Sequence, residues 1–158
     1  AWNIVIGGLA GSFAVLAGAA AVDPTPQVVP VFLALVLFLW TPPHFWSLAT
    51  YYRQDYADAG VPMLPVVHGD RVAALAILGH TIPLVLVSLL PIVWGAGWIY
   101  AACALAGGGY FIRRAYLLVR EQTPSNAIRS FPASLLQLGL LLAGTIIEGA
   151  VRGSLVHL

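Results

Sequence analysis

The sequence predicts an all-α fold, a polytopic membrane bundle with five transmembrane helices. Of the 158 residues, 60% are hydrophobic and 8% are charged, whereas soluble domains average about 25% charged residues. The apolar residues form continuous runs of roughly the 20 residues that a helix needs to cross the bilayer core. These runs do not alternate between apolar and polar residues, which argues against a transmembrane sheet.

Five segments have the required length, and polar or turn-forming residues separate them. The segments are Ile4–Val22, Val28–Tyr52, Val72–Trp94, Trp98–Val119 and Ser130–Val151. The first separating stretch is Asp23–Pro26, and the longest is the loop 53–71. The sequence opens directly on an apolar run, without an initiator methionine or a basic signal-peptide region. We therefore expect a fragment that lacks its N-terminal part, with residues 1–158 forming a single membrane domain.

Small residues stand out in the first and fourth helices, and only those of the first helix predict a packing face. Gly107-Gly108-Gly109 follows no strand and lies mid-membrane, so we do not interpret it as a phosphate-binding loop. In the first helix, small residues recur at spacings of three and four and predict a face on which a second helix packs. These residues are Gly7, Gly11, Ala14, Gly18 and Ala21.

Arginine placement predicts the orientation of the bundle. Only Arg152 falls on one side of a five-helix zigzag, and by the positive-inside rule the loop 53–71 then faces the cytoplasm. The six arginines on the opposite, cytoplasmic side are Arg53, Arg71, Arg113, Arg114, Arg120 and Arg129. Arg113 and Arg114 lie in the last two turns of their helix, and we expect both to snorkel to that interface. The net charge of +1 gives no reason to expect nucleic-acid binding.

The second helix is polar where it leaves the membrane. Pro42-Pro43 removes two backbone donors, which predicts a kink and freed carbonyl groups that face a cavity rather than lipid. His44 either faces a ligand or bonds to a neighbouring helix. Side chains at spacings of four, three, four and four would share one face of an extended helix. They are Trp40, His44, Ser47, Tyr51 and Asp55.

The loop that follows carries the groups suited to phosphate chemistry. Asp55 and Asp58 are three residues apart, and two carboxylates together with a substrate phosphate suit Mg²⁺. Arg53 adds a cation suited to phosphate oxygens. His68 is interpreted as a general base, a phosphate contact or a plain loop residue. The same polar residues are also compatible with a simple solvated loop, whereas the apolar stretch 61–65 suggests a lid against a membrane cavity.

Two histidines on consecutive helices lie at matched depth. His44 is eight residues from Tyr52 and His80 is eight from Val72, which places each about 12 Å from the cytoplasmic face at roughly 1.5 Å per residue. The spacing permits a shared bis-histidine iron site. It equally permits His44 to contact a ligand while His80 packs against a different neighbour.

Three stretches carry a resemblance to a known family. TPPHFWSLA followed by YRQDYADAGVPMLPVVHG resembles the second conserved region of the protohaem IX farnesyltransferases, which belong to the UbiA superfamily of intramembrane prenyltransferases. NIVIGGLAG and SFPASLLQLGLLLAGTIIEG resemble that family's fifth and last helices. The resemblance covers essentially the whole chain. It implies a nine-helix bundle around a central cavity, of which this chain supplies the last five helices.

The resemblance also implies an activity and its participants. Farnesyl would pass from farnesyl diphosphate to the vinyl group of haem b, with addition of water and release of diphosphate, at the bacterial cytoplasmic membrane. Asp55 matches the aspartate of the second Mg²⁺–diphosphate motif, Arg53 lies where a basic residue is common, and Asp58 is at a variable position. His44, Tyr51 and His68 are expected to contact substrate. Proteins of haem A and cytochrome oxidase assembly are the expected partners.

The sequence departs from the family in ways that bear on function. The first aspartate-rich motif is absent, so we expect this chain alone to be inactive, and His80 stands where relatives often have tyrosine. The alternatives are a UbiA-type enzyme acting on another aromatic acceptor such as a quinone precursor, half of a secondary transporter, or a non-catalytic assembly subunit. The Pro-broken second helix fits a transporter, but the Asp-Arg-His loop does not.

Overall fold

A computed structural model describes residues 3–25 and 28–152, apart from the side chain of Arg152. All regular structure in these ranges is helical, which confirms the all-α class. The elements are α1 (Asn3–Val22), α2 (Val28–Tyr51), α3 (Arg53–Asp58), α4 (Leu64–His68), α5 (Asp70–Leu89), a 3₁₀ helix (Leu90–Trp94), α6 (Trp98–Arg120) and α7 (Pro124–Arg152). The turn predicted at residues 23–26 is described only as far as Thr25.

Four spans within the described residues are long and apolar enough to cross a membrane: Asn3–Val22, Val28–Tyr51, Asp70–Trp94 and Pro124–Val151. The predicted fourth span, Trp98–Val119, does form a helix of 23 residues. Arginines at positions 113, 114 and 120 make its C-terminal part much more polar than the other four. That α6 is a fifth span stays a prediction.

α1 packs mainly on α2, through a face that differs from the predicted stripe. Gly8 and Ser12 are its buried residues, and the Ser12 hydroxyl donates to the carbonyl oxygen of Ala34 at 2.8 Å. A Cβ at Gly8 would lie 3.5 Å from the carbonyl oxygen of Phe38. Of the predicted stripe, Gly11 faces Leu37 of α2. A Cβ placed at Gly7 or Gly18 would meet no atom of another element within 4 Å. The contact face follows Gly8 because the backbone of α1 comes closest to α2 there.

α2 runs without interruption through Pro42 and Pro43, both fully buried. Pro42 cannot donate to the carbonyl group of Phe38, four residues earlier. That carbonyl lies beside Gly8 of α1, so another helix covers it rather than lipid.

The core lies between α2, α5, α6 and α7, in two apolar clusters. One is centred on Phe111 and Leu84, and the other on Ile77 and Leu118, all four fully buried. Burying a side chain of this size contributes about 1.5–3 kcal/mol in water, and inside a bilayer the close packing itself becomes the main source of association. The core therefore fixes the relative positions of the helices that carry the polar groups.

Glycines set the spacing between α6 and its neighbours. A Cβ at Gly107 would lie 2.9 Å from the Cα atom of Gln137 in α7, and one at Gly108 would lie 2.8 Å from Val85 in α5. A Cβ at Gly144 of α7 would similarly lie 2.9 Å from the Cβ atom of Cys103 in α6. The triple glycine is thus a packing device inside a continuous helix, as its position in the sequence indicates.

Candidate functional site

The predicted loop 53–71 contains two short helices that hold its polar groups. α2 ends at Tyr51, Tyr52 forms a turn, and α3 begins again at Arg53. Asp55 and Asp58 are both exposed on α3. Asp55 lines a shallow surface depression, whereas Asp58 accepts a hydrogen bond from the Gln54 amide at 2.8 Å. The two carboxylates share one short helix, but they have different surroundings.

Arg53 makes an ion pair that the spacing of the residues did not suggest. Its Nη1 atom lies 3.1 Å from Oδ2 of Asp70, at the start of α5. The side chains are 47% and 31% exposed, so the pair itself contributes only about 0–1 kcal/mol. The pair links the start of α3 to the first turn of α5.

Two residues of the stretch 61–65 are buried, and a lid role for the stretch stays a prediction. Met63 is 3% exposed and Pro65 is fully buried, and α4 begins immediately beyond Met63. Beside α4 lies a cleft of about 330 Å³ between α1, α2, α4 and α5. Its walls comprise the apolar side chains of Val5, Leu64, Val72 and Ala76, together with Trp46, His68 and His80. The structure therefore brings His68 and His80 to one cavity.

His44 lies in the interior between α2 and α7. Its ring stacks on Trp40 at a centroid distance of 4.0 Å and on Phe131 at 4.5 Å. Its Nδ1 atom is 2.7 Å from the hydroxyl of Ser134, and the residue is 8% exposed. This is the bond to a neighbouring helix that the sequence left as one of two interpretations. A ligand contact by His44 stays a prediction.

The predicted polar face of α2 is only partly continuous. Trp40 Nε1 donates to the carbonyl oxygen of Ser134 at 2.8 Å. The Ser47 hydroxyl donates to the carbonyl oxygen of Pro43 at 2.7 Å and lies 3.2 Å from the hydroxyl oxygen of Ser130. With His44, these residues join α2 to α7. Tyr51 is 40% exposed and packs edge-on against Tyr52, and Asp55 belongs to a separate helix, because the chain turns at Tyr52.

Arg114 is buried, contrary to the expectation that it snorkels. It is 8% exposed, and its Nε and Nη2 atoms have no hydrogen-bond partner among the described residues. It shares a face of α6 with Gly107, which packs against α7, whereas Arg113 is exposed. Gln137 is similarly buried, with both amide atoms unpartnered within the same part of the chain. A hydropathy pattern cannot identify such residues, since it does not reveal which side of α6 faces α7.

The carboxylates of α3 fit a magnesium ion only where water and substrate phosphate supply its other ligands. Within residues 3–25 and 28–152, no three His, Cys, Asp or Glu side chains lie close enough to hold a metal ion between them. Mg²⁺ commonly binds one or two carboxylates and completes its shell with water and substrate phosphate. The exposed carboxylate of Asp55 fits that mode, and Asp58 can add a second oxygen from the same helix.

Comparison with known proteins identifies the family. The UbiA prenyltransferase family matches residues 1–141. The chain is 55% identical over 153 residues to a protein named Protoheme IX farnesyltransferase 2 from Paramagnetospirillum magneticum, covering 97% of this chain and 53% of that protein. It is 47% identical over 147 residues to Protoheme IX farnesyltransferase from Cupriavidus taiwanensis, covering 92% of this chain and 48% of that protein.

The chain thus spans about half the length of these curated relatives. No solved structure is significantly similar to it. The family match extends from the first residue through most of α7, and so includes every candidate site residue described above. The chain belongs to the UbiA prenyltransferase family.

Proposed function

We propose that the protein containing this chain transfers farnesyl from farnesyl diphosphate to haem b, giving haem O and diphosphate. The observation that carries the proposal is the 44–55% identity, over 88–97% of the chain, to relatives that are named protoheme IX farnesyltransferases. The chain corresponds to the C-terminal part of the enzyme, as the resemblance of its segments implies. It supplies one of the two polar motifs and part of the apolar cavity.

The reaction breaks the bond between farnesyl C1 and the diphosphate oxygen and forms a bond from C1 to a haem vinyl carbon. The oxygen of water bonds to the other vinyl carbon as a hydroxyl group, one proton is released to solvent, and diphosphate leaves. Charge develops on the departing diphosphate, so cationic groups held at its position favour the transition state. Arg53, held at the membrane surface by Asp70, serves this role.

Asp55 is the proposed Mg²⁺ ligand on this chain, with Asp58 as a secondary one. When bound, Mg²⁺ supplies Lewis-acid stabilisation to the diphosphate oxygens. Asp55 is exposed beside Tyr52 and Tyr56, where a diphosphate at the membrane surface can reach it. Tyr51, next to Tyr52, and His68, in the cleft beside α4, are the other proposed substrate contacts. The apolar helices exclude bulk water from the farnesyl chain.

The proposed location is the bacterial cytoplasmic membrane, with residues 53–71 on the cytoplasmic side. The excess of arginine at that end of the helices supports this orientation. Farnesyl diphosphate is a water-soluble anion at its head and apolar in its tail, so a head site at the cytoplasmic surface suits it. Haem O would then pass to the haem A and cytochrome oxidase assembly proteins.

The test is product formation by the enzyme at its full length. Membranes containing that protein, supplied with haem b, farnesyl diphosphate and Mg²⁺, should yield a pigment whose mass equals that of haem b plus one farnesyl group and one hydroxyl group. Residues 1–158 expressed alone should yield none, because they span about half of the relatives' length. A prenylated quinone precursor in place of haem O would assign the acceptor to the rival UbiA chemistry.

A further inference from the structure

The cleft beside α4 combines apolar walls with two imidazole side chains. It measures about 330 Å³ and opens between α1, α2, α4 and α5. This volume is at the lower end of the range of about 300–1,000 Å³ typical of small-molecule sites. His68 and His80 are the only titratable residues that line it within the described chain. Apolar walls with two imidazoles suit the flat apolar face of a ligand that carries a metal centre, with any charged groups of that ligand left outside the cleft.

His80 is held in the tautomer that binds metals. Its Nδ1 atom lies 2.9 Å from the carbonyl oxygen of Ala76. A carbonyl oxygen only accepts hydrogen bonds, so Nδ1 carries the proton and the neutral ring keeps a lone pair on Nε2. No hydrogen bond to Nε2 occurs among the described residues. Histidines that ligate metals in proteins commonly donate their other ring N–H to a backbone carbonyl in this way.

Trp46 fixes the plane of the His80 ring and has an unused donor of its own. The two rings meet edge-on, with centroids 5.0 Å apart at an interplanar angle of 89°. Trp46 is 4% exposed and also lines the cleft. Its Nε1 atom is buried without an acceptor in the described part of the chain. Leaving a buried N–H group unpaired is unfavourable, which points to a ligand that supplies an acceptor or repacks this wall.

His44 has different surroundings. Aromatic rings cover both faces of its imidazole, and Nδ1 is occupied by Ser134. It does not line the cleft. The two histidines at matched depth therefore have different neighbours, which argues against a shared bis-histidine site.

We propose that the cleft receives the haem substrate and that Nε2 of His80 is the axial ligand to its iron. The inference rests on the proposed function for the identity of the ligand. It adds the residue that positions haem b, and it assigns His68 to the cleft wall rather than to the iron. Coordination by a neutral imidazole suits haem iron, and the apolar walls of the cleft would contact part of the macrocycle around the iron.

The experiment uses the full-length protein in detergent and follows the Soret band during titration with ferric haem b. His80→Ala should weaken binding on the order of tenfold or more and shift the band, and added imidazole should restore the wild-type spectrum. Metal-free protoporphyrin IX should bind wild type and His80→Ala alike, because it makes no iron bond. His44→Ala should keep the wild-type band and affinity, whereas His68→Ala, in the cleft wall, should weaken binding without shifting the band.

Each contrary outcome has a defined meaning. An unchanged band and affinity in His80→Ala would overturn the proposal, as would an equal loss of metal-free protoporphyrin binding, which would indicate packing. A spectral change confined to His44→Ala or His68→Ala would move the ligand to that residue. Failure of the wild-type protein to bind haem b would instead reject the acceptor in the proposed function.

Discussion

At the scale of single residues, the surroundings of a side chain separate groups that the sequence makes equivalent. Asp55 and Asp58 are both exposed carboxylates on α3. Asp58 is engaged by Gln54, whereas Asp55 lies in a depression beside two tyrosines. The carboxylate of Asp58 is therefore less available to a metal ion than that of Asp55.

Substitution of these two residues in the full-length enzyme should give unequal losses. Asp55→Asn should lower haem O formation on the order of 100-fold, since a metal ligand is needed when charge develops on the diphosphate. Asp58→Asn is the matched control and should cost less than about tenfold, because water can replace one Mg²⁺ ligand. Product would be measured by mass across a series of Mg²⁺ concentrations. Near-normal turnover by Asp55→Asn at low Mg²⁺ would remove it from the metal site.

Much of the candidate site could be predicted from residue types and spacing, but the partners of those residues could not. The polar groups of the loop could be recognised because they interrupt apolar runs. The stretch 61–65 could be recognised because it is apolar within a polar loop. The stacking of His44 between two helices, the Arg53–Asp70 pair and the burial of Arg114 depend on contacts across 17 to 94 residues of sequence. Spacing along one helix contains no information about those distances.

At the scale of helices, the long segments follow from hydropathy and the short ones from local turns. α3 and α4 were not predicted, because six and five residues are too few to establish a period. The last helix was predicted to begin at Ser130, six residues after its first residue in the structure. α7 begins at Pro124, a residue suited to a first helical position, and its first turns are polar since they extend beyond the apolar run.

The triple glycine in α6 offers a matched pair of substitutions for testing helix packing. Gly107→Ala should destabilise the protein by about 1–3 kcal/mol, because the new methyl group would meet the backbone of α7 at Gln137. The methyl group of Gly109→Ala would meet no neighbouring atom within 4 Å. This substitution should therefore be neutral or stabilise the protein by up to about 1 kcal/mol. Thermal unfolding in detergent measures both. Equal effects at the two positions would contradict the close approach of α6 and α7.

At the scale of the whole molecule, the order of the helices places both arginine-rich connections at one end. The α2–α5 connection and the α6–α7 connection share that end if every long helix crosses the bilayer. The fourth crossing, α6, is the one that composition alone leaves as a prediction, since arginines occupy its last two turns.

Labelling of single cysteines tests this topology. In a Cys103→Ser background, Ala57→Cys and Glu121→Cys should react with a membrane-impermeant thiol reagent only from the cytoplasmic side. Thr25→Cys and Val93→Cys should react only from the opposite side, because an odd number of crossings separates them from the first pair. Reaction of Val93→Cys and Glu121→Cys from the same side would show that α6 does not cross.

The buried carboxylate of Glu148 has a consequence for how the last two helices enter the membrane. Oε2 of Glu148, a residue 1% exposed, accepts hydrogen bonds from the backbone N–H groups of Ile99 and Tyr100 at 3.0 and 3.2 Å. An acidic side chain that enters lipid alone is expensive, and here its partners are the first turn of the preceding helix. If α6 crosses the bilayer, we expect it to stay at the translocon during synthesis until α7 emerges. The two helices would then leave for the bilayer as one preassembled hairpin.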